Sequence, residues 1–378
     1  MTVPNLRAAA TALLLGTASI GATAILTAMP AAALTVSAKV GPLLTEAKQM
    51  INAKNYSGAK SKLNEAEAAA STADDRTVIN SLKAALAVGS ADPNTPAGAK
   101  AKFANDYNAG RYKDVIADAD YLRKFNEFDA QSQLIVGQAY YKAQDYNGCV
   151  KYAKNLGGSD TALELQARCA YEIGDEATQH SALETLVSRS NKPEYWALLL
   201  KITERTKGLN DHNTLDIYRI RYMTNNVTSK DDYQTLATMA LQLHNYAEGQ
   251  AYIEKGMAAK VLSDDRSQRL LTLAKTQAAA ASASLAKDTA AAQAAPQGDA
   301  LVALGENMIG MGKAKDAIPL IQAGMKKPLK DANNAEMRLA QAYVAAGQKG
   351  DAAKAVSSIK APPNDAAVAH LWTLYARK

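Results

Sequence analysis

The residues of this chain that could carry chemistry are few and thinly spaced. Three of its four histidines, His180, His212 and His244, stand 32 residues apart, an interval that suggests a ladder of metal ligands. Its two cysteines, Cys149 and Cys169, are too few for a zinc ribbon, an iron–sulfur protein or a disulfide-dense scaffold. Paired carboxylates occur at Asp74-Asp75, Asp231-Asp232 and Asp264-Asp265. Each pair opens a helix-forming stretch, where carboxylates act as caps and as partners of the helix dipole rather than as an acid and a base. Gly310-Met311-Gly312-Lys313 has the residue types of a phosphate loop but not its spacing. No His-Glu-x-x-His, Gly-x-Ser-x-Gly or Cys-x-x-Cys occurs. The sequence therefore predicts no catalytic residue, no metal site and no cofactor, and reads as a non-enzyme.

The elements that would position any site can be read from composition. Alanine supplies about a fifth of the 378 residues, while Phe and Trp together number five. That balance favours helix and lacks the Val, Ile, Phe and Trp that a β-sandwich or barrel would place in its strands. Charged residues at 21% and a mean hydropathy of −0.23 fit a soluble folded chain rather than a disordered one. The length suits two or three ordinary domains or one long repeat array. The formal charge of +6 is spread along the chain, with no run of five basic residues. Nucleic acid is not an expected partner.

The amino terminus has the three parts of a secretory signal. Arg7 is its basic start, Ala8 to Ala28 its apolar middle, and Ala31 and Ala33 are the small residues a signal peptidase inspects. The expectation is a signal peptide over 1–33, cleaved after Ala33. A retained anchor is the other reading, since about twenty apolar residues can span a bilayer. Gly, Thr and Ser dilute this stretch, however, and the Ala-x-Ala ending serves no purpose in an anchor. No cysteine follows the cleavage point, so a lipoprotein is not expected. The mature chain should be exported, to the periplasm for a bacterial signal, without stable membrane insertion.

Internal periods decide the rest. A small residue followed nine positions later by an aromatic recurs as Gly137 with Tyr146, Ala47 with Tyr56, and Ala237 with Tyr246. Related small residues stand at Gly305 and Ala340. From Phe103 to Gly137 is 34 residues, from Gly305 to Ala340 is 35, and Ala237 to Gly305 is 68, or two periods. The three spaced histidines miss this period, so they drift through their units and read as surface residues.

The chain resembles the tetratricopeptide repeat, a helix–turn–helix unit of 34 residues. The likeness rests on Gly137 with Tyr140, Ala340 with Tyr343, turn glycines Gly110, Gly312 and Gly347, and exits at Pro328 and Pro362, and it covers roughly residues 39–362. It implies an all-α, right-handed superhelical solenoid of tetratricopeptide-like repeats with a C-terminal capping helix. Neither helix of such a unit buries its apolar face until the next unit covers it. The expected layout is an N-terminal helical module over 34–92, a central array over 97–262, an Ala-rich degenerate repeat or joint over 263–298, and a final repeat pair with its cap over 299–378. Two points stay open. Phe103 holds the small-residue place if the Gly110 turn sets the register, and Ala104 holds it if the register shifts by one. Ala278–Ala295 reads either as a poorly packed repeat or as a soft joint.

What the resemblance implies about a site is specific. In this family the first helices line the concave face, and the residue one past the inward aromatic points into the groove. That place holds Tyr141, Tyr171 and, in the Gly110 register, Tyr107. Gln138 and Lys142 flank Tyr141, and Arg168 flanks Tyr171. The implied partner is a peptide or protein of the cell envelope held along these six residues. The competing reading packs three of the seventeen tyrosines between helices. The family's clamp for C-terminal carboxylates is not matched: Lys100 is suitably placed, but Ala104 and Tyr107 stand where asparagines belong. Cys149 falls in the second helix of one unit and Cys169 in the first helix of the next. Those helices are neighbours in such an array, so the pair could form a disulfide in an oxidising compartment or remain two buried thiols. The expected function is a non-enzymatic exported scaffold or adaptor. The alternative is an enzyme, or a carrier of a small ligand or envelope glycan, with its site built into the solenoid.

Overall fold

The computed structural model describes residues 35–378, so the signal-peptide expectation for 1–33 lies outside the described residues. Nineteen helices and no strand occur among the described residues. Backbone contacts divide the chain into two compact units that meet between Gln179 and His180. That boundary falls within 97–262, the stretch that reads as one array in the sequence.

Unit 1 begins with three helices, α1 (Gly41–Asn52), α2 (Tyr56–Ala69) and α3 (Ala73–Gly89). Val40, Leu44, Ala47, Leu63, Ala66 and Ile79 form their common core. Thr72 and Asp75 start α3 by exchanging side-chain and backbone hydrogen bonds. Asp75 also accepts the backbone N–H of Ser37 at 2.8 Å, which ties the segment before α1 to the start of α3. These backbone donors, that of Ser37 foremost, hold its carboxyl well below the usual range. The Asp74-Asp75 pair is a structural cap.

Three hairpins follow. They are α4 (Pro96–Asn108) with α5 (Tyr112–Lys124), α6 (Ala130–Lys142) with α7 (Tyr146–Lys154), and α8 (Asp160–Glu172) with the first turn of α9 (Glu176–Arg189), the helix within which the unit boundary falls. Each turn spends one residue in the left-handed region: Gly110 at φ 73°, Gln144 at 61° and Gly174 at 71°. The next N–H then returns to a carbonyl of the first helix, from Arg111 to Asp106 at 2.8 Å, Asp145 to Tyr140 at 3.0 Å and Asp175 to Ala170 at 2.9 Å. Asp145 and Asp175 at once cap the second helix, accepting from the N–H of Gly148 and Thr178. Seven residues before each left-handed residue stands the small-residue position, here Phe103, Gly137 and Ala167. This decides the open register. Phe103 occupies that position at 4% exposure, while Ala104 is half-buried. A Cβ on Gly137 would collide with Leu165 Cδ2 on α8, so any larger residue there requires the Leu165 side chain to shift.

Unit 2 contains α10 (Pro193–Thr203) with α11 (Asp211–Met223) and α12 (Lys230–Gln242) with α13 (Tyr246–Ala258). It ends with α15 (Asp299–Gly310) and α16 (Ala314–Met325), α17 (Ala332–Ala345) and α18 (Lys349–Ala355), and α19 (Pro363–Ala376). Between them runs α14 (Asp265–Ala294), a single uninterrupted helix of 30 residues, about 45 Å long. The Ala-rich stretch therefore has no turn to divide it into a helix pair. Asp264 caps its start, no Gly or Pro interrupts it before Pro296, and alanine is the best helix former. Lys327 donates to the carbonyls of Gln293 at 2.6 Å and Ala295 at 2.7 Å, satisfying its last turn.

The terminal helix does more than cover the last hairpin. α19 packs on α17 and α18 and also on α11. Its Tyr375 ring lies 6.2 Å from that of Trp196 on α10, and Trp372 is 1% exposed. α15 likewise rests on α13. Within unit 2 the last hairpins thus return to the first ones and bury their apolar faces there.

Candidate functional site

The six residues singled out in the sequence all lie on the first helices of unit 1. Tyr107 is on α4, Gln138, Tyr141 and Lys142 are on α6, and Arg168 and Tyr171 are on α8. Tyr107, Tyr141 and Tyr171 each stand three residues before the left-handed turn residue, so they are equivalent positions of consecutive hairpins. All three are half-buried, as are Gln138 and Arg168, whereas Lys142 is exposed.

Neighbouring helices are stitched along this row. The Tyr107 hydroxyl donates to Gln138 Oε1 at 2.9 Å, and the Tyr141 hydroxyl donates to Glu172 Oε1 at 2.9 Å. The Arg168 guanidinium carbon lies over the Tyr141 ring, 3.8 Å from its centroid. Tyr146 touches the same ring at 5.4 Å, and Tyr112 lies edge-on to Tyr107 at 6.0 Å. Burial pushes both hydroxyls, Tyr107 and Tyr141, above the ordinary tyrosine range, so each stays a protonated donor. A row of large aromatic faces with fixed polar tips results. Such a surface loses little side-chain entropy when a partner binds.

Cys149 on α7 and Cys169 on α8 are joined as a disulfide, with their Cα atoms 6.0 Å apart. Both are fully buried. Cys169 adjoins Arg168, and Cys149 follows Tyr146 by three residues, so the bridge fixes α7 to α8 just behind the aromatic row.

Unit 2 holds a cluster that sequence reasoning missed. Arg219 on α11 donates to Glu248 on α13 at 2.8 and 2.6 Å, to Glu306 on α15 at 2.8 Å and to Asp216 at 2.9 Å. Arg338 on α17 pairs with both Asp216 and Glu306. The Tyr252 hydroxyl donates to Glu248 at 2.7 Å. All six residues are buried. Burial pushes the Glu306 carboxyl upward, but the adjacent Arg338 and Arg219 guanidinia overcome this and hold it at about 2. A carboxylate held ionised among two arginines has no proton to give, so the cluster is poor acid–base machinery. A signal was available: Asp216 and Arg219 interrupt the apolar run Leu215, Ile217, Ile220, and Arg338 sits between Met337 and Leu339. Charges on the inward stripe of a helix must find buried partners.

The histidines are placed otherwise than as a ladder. His370 Nε2 lies 2.5 Å from Glu184 Oε1, and His180 Nδ1 lies 3.3 Å from the same oxygen. His244 sits in a turn at φ 62°, its Nδ1 2.7 Å from the Tyr246 hydroxyl. Among the described residues no group of three His, Cys, Asp or Glu is placed to hold a metal ion. A cavity of about 460 Å³ opens beside Tyr222, Met223, Val227 and Tyr233 at the α11–α12 junction.

A small residue followed seven positions later by a left-handed turn residue recurs at Ala47, Gly137, Ala167, Ala237, Gly305 and Ala340, and this spacing marks a repeated helix–turn–helix motif in both units. Among its described residues the chain is all-α and built largely of helix–turn–helix hairpins. No protein-family model matches this helical-repeat protein, and no curated protein does. Among solved structures it is similar to the P58(IPK) TPR domain, at 12% identity and a TM-score of 0.24, over 89% of this chain and 98% of that one. It is also similar to the APC/C hetero-tetramer Cut9–Hcn1, at 11% identity and a TM-score of 0.25, over 88% of this chain and 66% of that one. Superpositions this loose carry no argument about function.

Proposed function

We propose that this protein is a non-enzymatic exported scaffold that holds a polypeptide partner against the first-helix face of unit 1. The observation that carries the reading is the pre-ordered row Tyr107–Gln138 and Tyr141–Arg168–Glu172, with Tyr171 and Lys142 beside it. These side chains present apolar area with polar tips already held in place. Aromatic and arginine anchors of this kind supply most of the binding energy in peptide recognition. Export rests on the signal-like residues 1–33, and a partner in the cell envelope follows from export. No helix among the described residues is long and apolar enough to cross a membrane.

The test is a photo-crosslinking residue in place of Lys142 in the native host, followed by titration of the crosslinked partner. Tyr141→Ala with Tyr171→Ala should cost about 2 kcal/mol or more of binding, roughly a thirtyfold loss. The melting temperature should fall by no more than a few degrees, because both rings are only half-buried. Unchanged partner binding, or wholesale unfolding of the double variant, would remove the groove reading.

A further inference from the structure

The arginines of this chain that are shown paired are paired with carboxylates: Arg111 with Asp106, Arg123 with Asp120, Arg219 and Arg338 within the buried cluster, and Arg221 with Glu204. Arg168 differs. Among the described residues no carboxylate lies within ion-pair distance of it, although it is half-buried and its Nε is shielded from solvent without a hydrogen-bond partner. Its guanidinium carbon lies over the Tyr141 ring, 3.8 Å from the centroid, which confines the head group to that face. Glu172, one turn further along α8, spends its carboxylate on the Tyr141 hydroxyl. Lys142, next to Tyr141, is exposed and also without an ion pair among the described residues.

A guanidinium that is seated on an aromatic ring, partly desolvated and without a carboxylate partner is an incomplete half of a fork-shaped carboxylate pair. Bulk attraction does not explain why a partner should be acidic. The described part of unit 1 carries 17 basic and 18 acidic residues, so any preference for anions must be local. We propose that Arg168, supported by Lys142, receives an Asp or Glu side chain of the partner, so the segment bound along the tyrosine row is acidic. The Tyr141 ring seats the guanidinium, and the partner's carboxylate completes the pair. This rests on the groove reading above and names the partner's chemistry.

The experiment selects random dodecapeptides displayed on phage against the full-length protein, then measures the winners as free peptides. Enrichment of Asp or Glu is expected. Each winner should weaken at least tenfold when its acids become Asn or Gln, and by a similar factor against Arg168→Gln. Arg168→Lys should recover only part of the loss, because lysine keeps the charge but not the planar fork. Winners without acids, binding Arg168→Gln as well as the unaltered protein but lost with Tyr141→Ala, would overturn the acidic preference and leave the groove standing. Winners indifferent to both substitutions would overturn the groove and the preference together.

Discussion

At the residue scale, the charges buried in unit 2 are the most exacting feature of the molecule. Asp216, Glu248 and Glu306 face Arg219 and Arg338, and each group relies on the others for the solvation it has lost. Removing one partner leaves an uncompensated charge in the interior. Arg338→Ala should therefore destabilise unit 2 by about 3–5 kcal/mol, readable as a lower midpoint in urea unfolding. A loss below 1 kcal/mol would show that water already solvates the cluster. The pH dependence follows from Glu306. Its folded pKa of about 2 lies below its ordinary 4.5, so the stabilisation is complete above 4.5 and drains away as the pH falls toward 2. Thermal melts from pH 6 to pH 2.5 should show this loss in the acid limb, and Glu306→Gln should flatten it. An acid limb identical in the variant would mean that other carboxylates govern it.

At the element scale, what could be read from the sequence and what could not have separate physical causes. Hairpins were legible because their signals are local: a left-handed residue, the N–H that folds back over it, and a small residue seven positions earlier. The same locality made Tyr107, Tyr141 and Tyr171 recognisable as equivalent positions. Phe103 was ambiguous because a bulky side chain sat at a place where six other hairpins carry Ala or Gly, and only the observed turn at Gly110 fixes it. The return of α15, α17 and α19 onto α11 and α13 is a long-range event. Asn213 donating to Asp365 at 3.0 Å joins residues 152 apart, which no periodicity encodes. A separation of 122 residues likewise hid the Arg338–Asp216 pair. Helix α14 was hard to read because alanine signals helix strongly and packing weakly. Its middle is held by propensity more than by burial, so Ala283→Gly at an exposed site should cost about 1 kcal/mol. Lys327→Met should cost about 1–2 kcal/mol by leaving the carbonyls of Gln293 and Ala295 without their donor. Amide exchange localised to 280–295 reports both. If neither substitution raises exchange there, packing rather than propensity and capping holds the helix.

At the scale of the whole molecule, the Cys149–Cys169 bridge and the signal-like amino terminus make one joint claim about where the chain folds. The bridge spans 20 residues of sequence, and closing a loop of that size restricts the unfolded chain by about 3 kcal/mol on the chain-entropy estimate. A reducing cytosol would forgo that contribution, whereas an oxidising compartment supplies it. Because Cys169 adjoins Arg168 and Cys149 lies one turn past Tyr146, the bridge also steadies the helices that carry the aromatic row. Protein recovered from its native host should begin at Leu34, or within two or three residues of it, and show no free thiol after denaturation without reductant. The same chain expressed in a reducing cytosol without residues 1–33 should count two thiols. Its unit 1 should unfold at a lower denaturant concentration, and oxidation should restore it. Native protein that retains Met1 and counts two thiols would refute export and the bridge at once. Processed protein with two thiols would leave export intact and reassign the cysteines as buried packing residues.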